Sequence, residues 1–146
     1  MIRYTLGFIF SEDKKEVLLL KINKPEKWND GLINGIGGKV EENETINECM
    51  FRECKEETGL NLLFIKYCGL YDGSNFTGNE FEVYTYYTVL DKFLFKEFDS
   101  PEGELKWYNV KDIMDLKTVP NMKWMIPLCL DMINGDVKKD FNIKYC

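Results

Sequence analysis

A chain of 146 residues that is 45% hydrophobic and 30% charged can bury one real core but is too short for two ordinary ones, so a single domain over residues 1–146 is expected. No run approaches the roughly 20 apolar residues that span a bilayer. A net charge of -6, from 19 basic against 25 acidic residues, sets a repulsive average field against duplex nucleic acid. Histidine is absent, which excludes Ser-His and Cys-His nucleophile pairs, histidine bases and histidine metal ligands and leaves acid–base and metal chemistry mainly to carboxylates.

In chain order, Ile2, Tyr4, Leu6 and Phe8 alternate with other residues and predict a strand. The chain enters that strand directly, so no secretory signal is read, and a cytoplasmic protein with no membrane partner is expected. Ser11 to Lys15 is a turn and Val17 to Leu20 a more buried strand, which together make a hairpin. A polar loop from about Asn23 to Asn34 follows, then a short strand over Ile36 to Val40 entered through Gly35, Gly37 and Gly38. The best-marked helix starts at Thr45, with Glu48 completing a capping box and Gly59 standing at the C-terminal stop.

Leu62 to Tyr71 and Phe81 to Leu90 read as strands, separated by turn material at Asp72 to Asn75 and Thr77 to Asn79. Leu105 to Tyr108 predicts a short strand leading into a helical turn near Val110 to Met114, and a last helix runs from about Asn121 to Ile133 and stops at Gly135. Strands mixed with two main helices imply a sheet covered on both faces. Five widely spaced cysteines (Cys49, Cys54, Cys68, Cys129, Cys146) form no C-x-x-C pair, which favours reduced, buried thiols over disulfides or zinc.

On the first helix, Ile46, Cys49 and Met50 make an inward stripe, and its expected continuation is Glu53, Glu56 and Glu57. A solvated face with Arg52 and Lys55 as ion-pair partners is one reading. It is disfavoured because Glu53 and Glu57 are a like-charge i,i+4 pair, which costs about 0.2–0.5 kcal/mol. A hard divalent cation reverses the sign of that interaction, and a carboxylate not fully taken up by the metal can orient or deprotonate a water. Gly35, Gly37 and Gly38 let backbone approach a ligand or metal, and Lys39 adds a positive charge beside them.

Gly38 to Leu60, GKVEENETINECMFRECKEETGL, resembles the Nudix box G-x5-E-x7-R-E-U-x-E-E-x-G-U, where U is a bulky apolar residue. Gly38, Glu44, Arg52, Glu53, Glu56, Glu57, Gly59 and Leu60 fall in register, and Cys54 is the one soft departure, a small hydrophobe at an apolar position. The resemblance implies the α/β class: a Nudix-type α/β/α sandwich with a mixed β-sheet, the box forming loop-helix-loop. It implies hydrolysis of a nucleoside diphosphate linked to another group, with one to three Mg²⁺ (or Mn²⁺) ions held by Glu53, Glu56, Glu57 and the Gly38 carbonyl. Arg52 is then expected to hold a box glutamate, Glu44 to support the helix entry, and Glu53 is the first choice for the base. Glu102, opening the stretch EGELKWY, resembles the extra metal ligand or base of MutT-like members; the alternative is a polar loop before an edge strand.

Asn34 to Lys39, NGIGGK, is similar to the N-G-F-G-G-K stretch of the oxidised-purine nucleoside triphosphatases of this family, in which the asparagine reads the base. Asn121 lies where MutT-like enzymes place a second base-reading residue, and Thr5 on the first strand is a further candidate contact. An amide offers both donor and acceptor to a purine edge; the alternative is that Asn34 and Asn121 cap a turn and a helix. Trp28, Phe76, Phe81 and Trp124 are candidates to stack on a base or to fill the core. The expected substrate is thus a small nucleotide, with 8-oxo-dGTP in the lead, and the expected assembly a monomer or homodimer. ADP-ribose, a dinucleotide polyphosphate, an RNA 5′ end or a non-catalytic nucleotide-sensing module are the rivals.

Overall fold

A computed structural model describes residues 1–62, 65–74, 78–95, 97–135 and 141–145. The two opening strands, β1 (Ile2–Ser11) and β2 (Glu16–Ile22), form the predicted antiparallel hairpin, with Ile9 opposite Leu18 and Phe10 opposite Val17. Past this short ladder the two strands diverge, and the chain returns between them. β3 (Ile33–Asn34) pairs with β2, and the following residues pair with β1 through Gly7 N to Ile36 O (2.5 Å), Ile36 N to Gly7 O (3.0 Å), Thr5 N to Gly38 O (2.9 Å) and Val40 N to Arg3 O (2.9 Å). The predicted strand over Ile36 to Val40 is therefore a series of isolated bridges rather than a regular strand.

Helix α1 (Ile46–Thr58) begins and ends where its caps predict. Thr45 Oγ1 accepts from Glu48 N, Glu48 Oε2 accepts from Thr45 N, both at 3.1 Å, and Gly59 closes the helix in the left-handed region with φ 77°. β4 (Lys66–Ser74) starts later than its apolar run predicts, at Lys66 rather than Leu62; β5 (Glu80–Leu90) and β7 (Gly103–Asn109) match their patterns, and β6 (Phe98–Ser100) and β8 (Phe141–Tyr145) are additional. A 3-10 turn at Val110–Asp115 leads to α2 (Met122–Ile133), with Gly135 at φ 82° just beyond it. The sheet order is β6-β7-β2-β1-β5-β4-β8 with β3 on the side of β2, and it is mixed: β1–β5 and β4–β8 are parallel pairs.

Alternation distributes the core over two faces. Leu6, Phe8 and Phe10 of β1 and Val17 and Leu19 of β2 pack against Met122, Met125, Ile126 and Cys129 of α2. Ile9, Leu18, Leu20, Ile36 and Leu105 pack on the opposite face against Met50 and Cys54 of α1. The result is the α/β/α sandwich expected, with one helix on each side of the sheet. Cys49, Cys54, Cys68 and Cys129 are all free and buried; Cys146 lies outside the described residues.

The reciprocal cap is the main polar device fixing where α1 begins. Thr45→Ala is expected to cost about 1 kcal/mol, read as a lower urea midpoint at unchanged slope, while Thr45→Ser stays close to the parent.

Candidate active site

Three of the expected residues meet where α1 passes under the glycine-bearing segment. Glu53 is 14% exposed in its side chain, and Glu57 is 6% exposed overall. A Cβ on Gly38 would stand 2.4 Å from Glu53 Oε1, so only glycine leaves room for that carboxylate. Gly37 has φ +156°, and a Cβ there would meet Thr5 O at 2.0 Å. Its backbone N–H lowers the proton affinity of the Glu57 carboxyl, against the larger effect of burial.

Glu56 departs from the expected stripe: its side chain is 57% exposed and lies on the flank of the helix, because one residue's step of about 100° separates it from Glu57. The buried face is completed instead by Cys49, Met50, Cys54 and Thr58.

Arg52 ties the acidic residues together. Its Nε and Nη2 donate to the two oxygens of Glu44 at 2.6 and 3.0 Å, Nη1 donates to Glu53 Oε1 at 2.9 Å and Glu56 Oε2 at 3.3 Å, and Nη2 also reaches Lys39 O at 3.2 Å. The two-pronged guanidinium–carboxylate pair is the strong form of such a bond. It holds the Glu44 carboxyl down to about 2, and Glu44 Oε1 in turn accepts from Glu41 N at 2.9 Å at the helix entry. The Lys39 side chain is exposed, and its carbonyl is the part drawn into the network.

Glu57 is the electrostatic opposite of Glu44. Burial first, then the charge of Glu53 and a hydrogen bond with it, push its carboxyl up to about 9. Its Oε2 is buried and has no hydrogen-bond partner among the described residues. A buried carboxylate oxygen without a donor costs free energy that a cation would recover. With hard oxygen donors and no histidine, the set suits Mg²⁺ or Mn²⁺. Among the described residues no three acidic or thiol groups already stand as a metal-binding cluster. Glu53 and Glu56 are engaged by Arg52, and Glu102, just ahead of β7, by Lys24. The Gly38 carbonyl accepts from Thr5 N at 2.9 Å and, more weakly, from Thr5 Oγ1 at 3.5 Å.

On the other side of Gly37 and Gly38 lies a cavity of about 520 Å³, within the range of small-molecule sites. Thr5, Asn34 and Asn121 line it, as do Trp28 and Phe81. Thr5 is 3% exposed, and its hydroxyl also meets Cys49 Sγ at 3.3 Å. Asn34 Oδ1 accepts from Gly35 N at 2.9 Å.

Asn121 sits at the start of α2 with φ 79° and makes no side-chain cap. Its Nδ2 donates to Tyr71 Oη and its Oδ1 accepts from Trp124 Nε1, both at 2.9 Å. Trp124 does not line the cavity; it packs edge-on against Tyr71 and Phe141. Phe76 lies outside the described residues. Sequence reasoning missed Tyr71, which lines the cavity, and Lys24. Tyr71 lay in a run read only as strand, and no local pattern distinguishes Lys24 from any loop lysine.

A mixed sheet thus lies between two helices, with an arginine-bridged acidic helix beside a ligand-sized cavity. A family model described as NUDIX domain matches residues 1–129. The chain is 32% identical over 124 residues to the uncharacterized Nudix hydrolase YvcI of Bacillus subtilis, covering 81% of this chain and 72% of that protein. A MutT protein from Bacillus halodurans superposes with a TM-score of 0.70 at 25% identity, over 87% of this chain and 80% of that one. The NUDIX domain of Shewanella oneidensis NrtR, solved with ADP ribose, shares the fold with a TM-score of 0.74 at 14% identity, over 91% and 88%. The protein belongs to the Nudix hydrolase family, whose members act on nucleoside diphosphate derivatives. No helix among the described residues is long and apolar enough to cross a membrane.

Because the Glu44 carboxyl is held below its ordinary 4.5, its pairing with Arg52 stabilises the fold fully above that value and progressively less as pH falls towards about 2. Glu44→Gln is expected to lower the urea midpoint at neutral pH and to flatten its decline between pH 4.5 and 2. A parallel decline in parent and variant over that window would remove Glu44 from the account.

Proposed function

We propose that the protein is a divalent-cation-dependent nucleoside triphosphate pyrophosphohydrolase acting on an oxidised purine nucleotide such as 8-oxo-dGTP. The observation that carries the reading is the buried, unpartnered Glu57 oxygen on α1, set against Gly37 at the edge of the large cavity. Glu53, Glu56, Glu57 and Glu102, with the Gly38 carbonyl, are the donors that would hold Mg²⁺ or Mn²⁺. When bound, such a cation supplies positive charge for the substrate's phosphates and acidifies a water for attack on phosphorus.

Arg52 holds Glu53 in place through a direct hydrogen bond and, by pairing with Glu44, fixes the helix entry. Glu53 is the favoured base: it is nearly buried, beside Gly38, and takes the proton of the attacking water. Water adds to phosphorus, the anhydride oxygen leaves with the departing phosphate group, and a nucleoside monophosphate and pyrophosphate result. The exposed Lys39, second residue of the box, supplies positive charge for the phosphates.

The base enters the cavity. Asn34 presents its amide there, with Nδ2 unpartnered among the described residues, and Thr5 contributes the opposing wall. Asn121 also lines the cavity; Tyr71 and Trp124 each take one bond from its amide, which leaves one N–H and one oxygen lone pair for the base. The Tyr71 ring packs edge-on against Phe81 at 5.6 Å, so the two aromatics form one side of the slot.

Glu57→Gln is expected to lower kcat by at least about 100-fold without lowering the urea midpoint in cation-free neutral buffer, because a carboxyl pushed up to about 9 is already uncharged there and the amide replaces it without adding charge. A variant as active as the parent would overturn the ligand assignment. For substrate, canonical and oxidised purine triphosphates and ADP-ribose are compared with Mg²⁺, scoring pyrophosphate against orthophosphate. Preferential release of pyrophosphate from 8-oxo-dGTP is expected, with a raised KM in Asn34→Ala. Rapid cleavage of ADP-ribose with negligible rates on the triphosphates would overturn the substrate but keep the reaction class.

A further inference from the structure

The residue facing Glu102 is Lys24, whose Nζ contacts Glu102 Oε2. Backbone pairing makes this contact part of the sheet register. Ile22 stands opposite Gly103, Asn23 N donates to Glu102 O at 3.1 Å, and a Cβ on Gly103 would meet Lys21 O at 2.0 Å. The main chains carrying Lys24 and Glu102 are thus pressed together, and Lys24 N is further fixed by Asp30 Oδ1 at 2.7 Å. Only the two side chains are left to move.

Glu102 raises the proton affinity of Lys24 most, and Glu57 raises it further; Glu57 in turn feels the charge of Glu102.

We propose that Lys24 is a built-in competitor for the divalent cation: its ammonium neutralises Glu102 until the cation displaces it. This rests on the reading that Glu102 and the α1 glutamates hold a cation. An ammonium and a divalent ion repel each other at such range, so pairing with one makes the carboxylate a poorer partner for the other. A lysine is suited to yielding, because its four-carbon stem lets the charge swing into solvent without disturbing the backbone.

The test is direct binding of Mn²⁺ to the whole protein without nucleotide, read from the free-Mn²⁺ signal in electron paramagnetic resonance. Lys24→Met keeps most of the apolar stem and removes the charge, and is expected to bind Mn²⁺ about two- to five-fold more tightly than the parent, the range of a partly exposed ion pair. Lys24→Arg should bind no more tightly than the parent. In a Glu102→Gln background the Lys24→Met gain should vanish, which separates competition at Glu102 from a general change in surface charge. Urea titration of each variant checks that the fold is kept.

Equal or weaker Mn²⁺ binding by Lys24→Met would overturn the competition while leaving the cation-dependent reading intact. So would a gain that persists without the Glu102 carboxylate. A parent protein that binds no Mn²⁺ at millimolar concentration would overturn both.

Discussion

The backbone pairing of residues 36–40 with β1 is the constraint on which the site depends. β1 and β2 share only a short ladder at Ile9 and Phe10, and the returning chain fills the gap they leave. Thr5 N bonds Gly38 O, and Gly7 exchanges both backbone bonds with Ile36. This close approach works because Gly37 and Gly38 carry no Cβ: a side chain at one would strike the β1 backbone, and at the other the Glu53 carboxyl. One backbone segment thus forms both the wall of the cavity and the ceiling over the acidic helix.

Along that helix, environment drives identical side chains to opposite behaviour. Glu44, just ahead of it, is satisfied by a two-pronged guanidinium and stays ionised far into acid. Glu57, near its end, is buried beside another carboxylate and resists ionising. Among the described residues Arg52 bonds to the carboxylates of Glu44, Glu53 and Glu56 but not to that of Glu57. Pairs of titratable groups pushed apart in this way mark sites of chemistry.

Local rules carried the sequence reading a long way. The capping box, the left-handed stop at Gly59 and the hairpin at β1–β2 are short-range patterns, and the structure reproduces each. Helical periodicity also brought Glu53 and Glu57 onto the buried face, but it overreached at Glu56, since one step of 100° is enough to turn a residue from the sheet to water. Features set by distant pairing were not legible. The extra strands β6 and β8 depend on partners elsewhere in the sheet, and Ile36 to Val40 reads as a strand although its two neighbours allow only isolated bridges. Asn121 shows the same limit within the site. Its position at a helix start fits a cap, yet its amide bridges Tyr71, which is 50 residues away in the chain.

That bridge has a consequence for how the cavity recognises a ligand. A wall built from free amides would adapt to whatever base arrived, because side-chain amides reorient at little cost. Here Asn121 is clamped between a phenol and an indole, and Tyr71 packs edge-on against both Phe81 and Trp124. The aromatic side of the slot is therefore set before a ligand enters, and less ordering entropy opposes binding. Asn34, by contrast, keeps one end of its amide on Gly35 N, in the same segment that shields Glu53 and Glu57. On the proposed reading, shifting the base against Asn34 would also shift the phosphates against the acidic helix. Selection of the base and alignment of the scissile anhydride would then be mechanically coupled through three glycines.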